Sequence, residues 1–596
     1  MINFNVQIRD FPFSGESQAL IEQWKKGDRE YGTNWPVVYL LHNDETREAY
    51  VGETLNAGKR AAQHWQLDER KRLKTIHIMT DDTFNKSVIL DLESFLIKYI
   101  SADQSYTLQN GNTGLSDFDY YGRDEYEKEF QKVWECLRKH NLVRSGVAEL
   151  QNSDFFKYSP YKALTQDQGV VLGKILSILT LCLKEDMRET VLVEGGAGTG
   201  KTILAIYLLK LLSDLKSDTY EQMEEVSESK VTELQALLTE RKFKMGYVVP
   251  QSSLQQTLKK VFRTIRGLPE SLVMSPREAI RAAKDAPFDL LICDEAHRLK
   301  RRAGLSQYQS YDEINREFNL PADTTELEWV IRSSRMQILF YDSAQTVRPS
   351  DVPTLRFNQI LNEQENRQKL KLSSQLRCLA GDDYIQYVHD ILNFERFGIQ
   401  DSYQEYGSAV MRENFSTWPQ PKVEFKNFKA LLYDDVDEMV DEINRLNQEI
   451  GLCYTVAGYG WKWITKKEPK NTPKRDIDIG RGYIWNRTNT DWIGSKPLPY
   501  EIGCIHTVQG YDLNYVGVIF GPEIYYDRKA GRIDVDKKKY YDSLGKTVGD
   551  DHEALRTYIL NVYQTLLTRG IRGVLIYVCD PALREYLRPF FQDDAE

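Results

Sequence analysis

Val191-Leu192-Val193-Glu194-Gly195-Gly196-Ala197-Gly198-Thr199-Gly200-Lys201-Thr202 is the stretch that decides the fold of this chain. An apolar, β-prone run feeds a glycine-rich loop, and a helical run, Ile203 to Leu212, follows at once. Gly195, Gly200, Lys201 and Thr202 satisfy the pattern G-x-x-x-x-G-K-[ST] between a strand and a helix. Glycines let backbone N–H groups curl around phosphate oxygens, and the new helix points its positive end at the same place. Gly195, Gly196, Ala197, Gly198, Thr199 and Gly200 are therefore expected to cradle the phosphates of ATP. Lys201 would reach the outer phosphates, and Thr202 would hold Mg2+. The fold class expected is α/β.

Two later strands end in the same kind of chemistry. Phe288-Asp289-Leu290-Leu291-Ile292-Cys293 runs into Asp294 and Glu295. Asp294 is placed to hold Mg2+ through water, and Glu295 to position and polarise the attacking water. A surface acid pair does not usually terminate an apolar run. Gln337-Ile338-Leu339-Phe340-Tyr341 is followed by Asp342-Ser343-Ala344-Gln345, where Gln345 would sense the γ-phosphate. Gly246 to Val249 is another strand, and its exit loop carries Ser252 and Ser253. Such loops touch nucleotide or nucleic acid, although both serines also suit a helix cap.

In this order the segments resemble a superfamily-one helicase, and more narrowly the Schlafen-type helicase group. Leu164-Thr165-Gln166-Asp167-Gln168 is a capping signal by itself. Shortly before a phosphate loop it resembles the helicase adenine-reading motif, with Gln168 supplying donor and acceptor. Leu372-Ser373-Ser374-Gln375-Leu376-Arg377 matches the motif whose arginine reaches the γ-phosphate. Ile505-His506-Thr507-Val508-Gln509-Gly510-Tyr511-Asp512 matches the motif near the nucleic-acid backbone. Val562 to Gly570 matches the final motif, with Arg569 as a second γ-phosphate contact. The resemblance spans about Leu164 to Arg588. It implies two RecA-like lobes, at 164–350 and 351–596, closed on ATP by Arg377 and Arg569. Arginine suits that task because it stays charged and forks onto phosphate oxygens. Hydrolysis would let the lobes part and give one step along a strand.

The second lobe carries two insertions, near 455–498 and 525–552. The first holds Trp461, Trp463, Trp485 and Trp492 among basic residues. Two readings stand: a single-strand stacking track, or a loop anchored by packed tryptophans. Lys537-Lys538-Lys539 in the second reads as a solvated face. A charged helical stretch, Lys216 to Lys242, reads as a surface insertion in the first lobe.

The N-terminal third has a different pattern. Trp35 to Leu41 and Ala49 to Thr54 are strand-like and flank the turn signal Asn43-Asp44-Glu45-Thr46, hence a hairpin. A helix beginning near Leu55 sets Arg60 and His64 on one face. An apolar helix, Val88 to Ile100, carries one acid, Glu93. These residues resemble the GIY-YIG nuclease family, with Val37-Val38-Tyr39 and Tyr50-Val51-Gly52 in the places of its two signature tripeptides. The resemblance covers about Trp35 to Gly114. It implies that Glu93 binds one divalent metal, Mg2+ or Mn2+. It also implies that Tyr39, helped by Tyr50 or His64, activates water and that Arg60 stabilises the scissile phosphate. Phosphodiester cleavage needs those three roles. The sequence departs from the family at Val37, where it has glycine, and the late asparagine falls at Asn110 or Asn112. Residues 1–145 form this domain, closed by a helix from Asp124 to His140, and 146–163 reads as a linker.

Composition bounds the rest. At 596 residues three or four domains are expected, and 41% hydrophobic with 28% charged residues is a soluble, globular balance. The apolar run Ile175 to Leu183 falls short of the ~18 residues of a membrane span. The N-terminal stretch Met1-Ile2-Asn3-Phe4 has no basic n-region, so no signal peptide is expected, and the seven cysteines stand singly, so a reduced, cytoplasmic protein is expected. A net charge of −10 leaves only local basic tracks for nucleic acid, such as Arg70 to Lys74, Arg298 to Arg302 and Lys462 to Arg475. The expected function is an ATP-driven translocase on nucleic acid, DNA in preference to RNA, coupled to an endonuclease. Defence or repair would be its setting. A nucleotide-dependent binding switch with a non-cutting N-terminal module is the alternative.

Overall fold

The computed structural model describes residues 4–593 apart from 26–28, 112–119, 162–163, 197, 218–227, 306, 343–344, 346–349, 365, 373–379, 395–422, 426, 467–472, 489–491, 494–496, 509–512, 543–545 and 547–550. Ala197, Arg377, Asn112 and the segment Gln509 to Asp512 therefore lie outside the described residues.

Five strands build the N-terminal sheet: β1 (Gln7–Pro12), β2 (Val37–Asn43), β3 (Glu48–Thr54), β4 (Thr75–Thr80) and β5 (Thr107–Leu108), in the order β1-β4-β2-β3-β5. β2 and β3 pair antiparallel as the expected hairpin. Its turn is set by Asn43, whose Oδ1 accepts the Glu45 N–H at 2.9 Å, the local bond that makes Asn a turn residue. Alternation divides the sheet into two faces. Val37, Tyr39, Leu41 and Tyr50 pack with the helix Ala57–Trp65, which Asn56 caps by accepting the Lys59 N–H. Val38, Leu40, Ala49 and Val51 pack under the helix Lys86–Asp103, capped by Asn85. The stretch expected as a linker is helical in part over its described residues, 146–161. Short helices Val147–Gln151 and Asp154–Lys157 fold back, and Val147, Leu150 and Tyr161 join the core beneath Lys86–Asp103 because exposing those side chains would cost apolar burial.

The second sheet has six strands: β6 (Glu189–Gly195), β7 (Met245–Val248), β8 (Val273–Met274), β9 (Phe288–Cys293), β10 (Ser334–Tyr341) and β11 (Arg367–Leu372), ordered β11-β6-β10-β9-β7-β8. β7 pairs parallel with β8 and β9. The third has seven: β12 (Lys429–Tyr433), β13 (Cys453–Ala457), β14 (Ile484–Trp485), β15 (Glu501–Cys504), β16 (Leu513–Phe520), β19 (Gly570–Val578) and β20 (Gln592–Asp593), ordered β14-β15-β13-β16-β19-β12-β20 with parallel pairing throughout. A separate antiparallel ribbon, β17 (Ile524–Asp527) with β18 (Arg532–Val535), stands in the second insertion. Fully buried strands such as Leu290-Leu291-Ile292 read as continuous apolar runs because helices cover both faces of parallel sheets. The protein is α/β with parallel-sheet lobes, as expected.

By internal contacts the chain divides into two units. One comprises Met1–Val191, Lys201–Asp294 and Ser333–Ile338; the other comprises Leu192–Gly200, Glu295–Arg332 and Leu339–Glu596. Among the described residues one helix, Gln166–Glu185, is long and apolar enough to cross a membrane by length and composition. Its Val171, Leu172, Ile175, Leu179 and Leu183 are buried within the protein.

Candidate functional site

In the first unit the nucleotide chemistry gathers on Asp294. This carboxylate is fully buried at the end of β9. Its Oδ2 accepts from Thr202 Oγ1 at 2.7 Å and from Tyr247 Oη at 2.8 Å. Thr202 lies in the first turn of the helix Lys201–Lys216, and Tyr247 lies on β7. Lys201 is itself buried. A hydroxyl beside a carboxylate is a hard, all-oxygen donor pair, which is what Mg2+ prefers. The predicted pair Thr202 and Asp294 is thus brought together, and Tyr247, which the sequence reading missed, holds the acid from a neighbouring strand.

In the second unit the loop ahead of Lys201 turns on Gly198 and Gly200, at φ of 87° and 76°, left-handed backbone open to glycine. Thr199 Oγ1 donates to the Gly196 carbonyl at 3.0 Å and ties the loop across. Glu295 also takes a left-handed backbone, at φ 50°, strain of the kind that collects at working sites. Its carboxylate is 2.9 Å from His297 Nε2. Gln345, buried, donates from Nε2 to Asp342 Oδ2 at 2.6 Å and accepts from Arg569 Nη2 at 3.3 Å. Arg569 is 2% exposed, so its guanidinium is positioned from inside the fold.

Gln168 lies in the first turn of the helix Gln166–Glu185. It is fully buried, and its Oε1 accepts the Thr165 N–H at 3.0 Å in a reciprocal capping box with the Thr165 hydroxyl. The acceptor that would read an adenine edge is used at the start of its own helix.

In the basic run Arg298 to Arg302 two side chains are held in ion pairs. Arg298 is buried against Asp351 at 3.0 Å, and Arg302 pairs with Asp312 at 2.7 Å. Of the four tryptophans in the first insertion, Trp461, Trp485 and Trp492 are buried. Trp492 Nε1 donates to Glu501 Oε1 at 2.6 Å, and Trp461 Nε1 to Asp478 Oδ1 at 2.8 Å. Those three anchor the loop; Trp463 is half-buried.

A second constellation sits on the N-terminal sheet. Tyr39 Oη lies 2.7 Å from His64 Nε2 and accepts from Arg60 Nε at 3.3 Å. The Tyr50 and His64 rings meet at 4.9 Å. Register places Tyr39 opposite Gly52, where a Cβ would stand 2.2 Å from Tyr39 Oη, so only glycine admits the phenol. Burial first, then the positive charges of Arg60 and Arg70, push the His64 pKa down to about 3. His64 is therefore neutral near pH 7. In the tautomer with the proton on Nδ1, His64 Nε2 accepts from the phenol, and among the described residues His64 Nδ1 is buried without a hydrogen-bond partner. Arg70, unforeseen because it lay inside a basic run, stacks its guanidinium 3.7 Å from the Tyr50 ring centroid and donates to Gln109 Oε1 at 2.7 Å.

Tyr39, Tyr50, Arg60 and His64 are thus brought together. Glu93 is half-buried on the helix Lys86–Asp103, whose apolar residues cover the other face of the sheet. Among the described residues no group of three or more His, Cys, Asp or Glu could hold a metal ion. Asn110 is committed to backbone: its amide accepts the Val51 N–H at 3.0 Å and donates to the Val51 carbonyl at 2.8 Å.

The phosphate-loop sequence and the parallel-sheet lobes mark a nucleotide-binding ATPase fold. Residues 188–580, well over half of the chain, match the family described as Schlafen group 3, DNA/RNA helicase domain, and the chain belongs to that family. It is a helicase-type ATPase that binds nucleic acid. Saccharomyces cerevisiae protein YPL245W, described as uncharacterized, is 24% identical over 454 residues, which span 72% of this chain and 91% of that protein. A DEAD box protein from the hyperthermophile Methanococcus jannaschii is similar at 10% identity over 73% of this chain and 98% of that one, with a TM-score of 0.20, too low to mark a shared overall arrangement.

Proposed function

We propose that this chain is an ATP-driven translocase that delivers a nucleic-acid strand, DNA rather than RNA, to its own N-terminal endonuclease. The observation that carries the nuclease half is the cluster around the Tyr39 hydroxyl. Neutral His64 accepts a hydrogen bond from the Tyr39 phenol, Arg60 steadies negative charge growing on that oxygen, and Tyr39 orients and polarises the attacking water. Arg60 also meets the charge that develops on the scissile phosphate. Glu93 would hold a divalent ion, which when bound supplies positive charge to the leaving oxygen. In the motor half Lys201 and the loop amides hold ATP, Glu295 orients water, and Gln345 with Arg569 reads the γ-phosphate. A cutter and a motor on one chain suit cytoplasmic defence against foreign DNA, or repair.

A second reading is a nucleotide-dependent switch with a non-cutting N-terminal module. Asn110 favours it, because that amide is spent on the Val51 backbone. Plasmid digestion with Mg2+ or Mn2+ separates the two. The nuclease reading expects cutting by wild type and loss of it in Glu93→Ala and Tyr39→Phe. Equal cutting by all three proteins, or none by any, favours the switch.

A further inference from the structure

A cleft of about 690 Å³ opens in the second unit at the carboxyl ends of two neighbouring parallel strands. Pro522 follows β16, Cys579 and Asp580 follow β19, and the turn Lys537–Lys539 follows β18; all line the cleft. Crevices at the carboxyl ends of parallel strands are where α/β folds place ligands. The three lysine residues are exposed. The two carboxylates in the lining already serve backbone: Asp536 Oδ1 accepts the Lys538 N–H at 2.9 Å, and Asp580 Oδ1 accepts the Leu583 N–H at 2.7 Å.

Next to the lysine turn stands Tyr541, 39% exposed. Its N–H donates to the Tyr459 carbonyl at 2.8 Å, which fixes the ring's base to the loop after β13. Two ammonium groups flank that ring, Lys462 Nζ at 5.8 Å and Lys546 Nζ at 5.5 Å from its centroid. An exposed aromatic held by backbone, with two cations beside it and two residues beyond the lysines that line the cleft, is a combination suited to binding single strands. The ring takes a base face, and the cations take the phosphates on either side. The buried tryptophans of the first insertion lack that access.

We propose that this edge is a single-strand track, with Tyr541 stacking a base while Lys537, Lys538 and Lys539 hold the adjoining phosphodiesters in the cleft. The proposal rests on the nucleic-acid-motor reading and adds where on the chain the strand lies. It also reverses the solvated reading of the lysine run, for which sequence alone offered neither a cleft nor a neighbouring ring.

The test is fluorescence anisotropy of labelled oligothymidylate and oligouridylate with the full chain, across a salt series. Charge reversal at all three lysines (K537E, K538E, K539E) is expected to weaken binding at least tenfold. It should also flatten the log–log salt dependence by about 2, since each phosphate contact on a single strand contributes about 0.7. Tyr541→Ala should weaken binding by about tenfold with the salt slope kept, because stacking releases no counterions. Replacement of the lysines by arginine should preserve affinity, and thermal unfolding of every variant should match wild type. Wild-type affinity and slope in both the reversal and the tyrosine variant would overturn the track while leaving the motor intact. A wild-type chain that binds neither oligonucleotide would overturn the motor reading and the track together.

Discussion

Arg569 donates to Gln345 across 224 positions of sequence, and Gln345 carries the connection on to Asp342 at the end of β10. One amide thus joins the last helicase motif to a central strand of the nucleotide-binding sheet. A change in what the guanidinium touches moves a hydrogen bond inside that strand's exit. Gln345→Ala and Arg569→Ala should each lower strand-stimulated ATP turnover. A double-mutant cycle on turnover should give a coupling of about 0.5–3 kcal/mol, the range for residues in one network. Arg569→Lys should not rescue, because an ammonium lacks the fork. Strict additivity would show that the two act separately.

Asp294 takes two hydroxyl donors on one oxygen, from Thr202 and Tyr247. Lys201→Ala should abolish ATP turnover with or without a strand. Tyr247→Phe removes one neutral hydrogen bond and should cost about 1 kcal/mol of stability, read as a lowered urea midpoint. Its Mg2+ requirement should rise, since the acid loses the group that aims it. Turnover indifferent to single-stranded nucleic acid would remove the case for a motor.

Gly52 is where the nuclease cluster is sterically most exposed to change. A methyl group there would meet Tyr39 Oη at 2.2 Å. Gly52→Ala should therefore displace the phenol from His64, abolish plasmid cutting and destabilise the N-terminal domain by about 1–3 kcal/mol through overpacking. ATP turnover should survive, which separates this effect from global misfolding.

Acid sensitivity follows from the buried histidines of the same domain. Burial first, then Arg60 and Arg70, lower His64 to about 3; burial first, then His42, lowers His77 to about 4. Burial likewise lowers His42, whose Nε2 lies 2.9 Å from that of His77. The ordinary value is 6.5, so the unfolded chain takes up protons first as pH falls. Stability is then fully present above about 6.5 and declines as pH drops from there toward about 3. Urea midpoints of the N-terminal domain, followed by its tryptophan emission, should fall across that window. His64→Gln should make the decline shallower. A flat profile would mean that these imidazoles are solvated.

Spacing and residue type by themselves determined the phosphate loop, the acid-terminated strand at Asp294, the hairpin of Tyr39 and Tyr50, and the α/β class. Those features are local: a strand feeding a glycine loop and a helix is specified within a dozen residues, and period-two alternation sorts the hairpin into faces. One residue type can serve two ends. Gln168 resembles an adenine reader by its place before the phosphate loop, and in the fold it also closes a capping box with Thr165. Four tryptophans among lysines read as a track or as anchors, and three of them lie inside the fold.

Only the tertiary structure decided which distant groups share a site. Arg70 sits in a basic run that resembles any solvated face, and its place over Tyr50 comes from the packing of separate segments. Tyr247 reaches Asp294 because β7 and β9 are parallel neighbours, and Tyr541 meets Lys462 because its backbone is bound to the Tyr459 carbonyl just after β13. Such contacts depend on strand order, which the chain sets by closing long loops around its cores and which no short window of sequence contains.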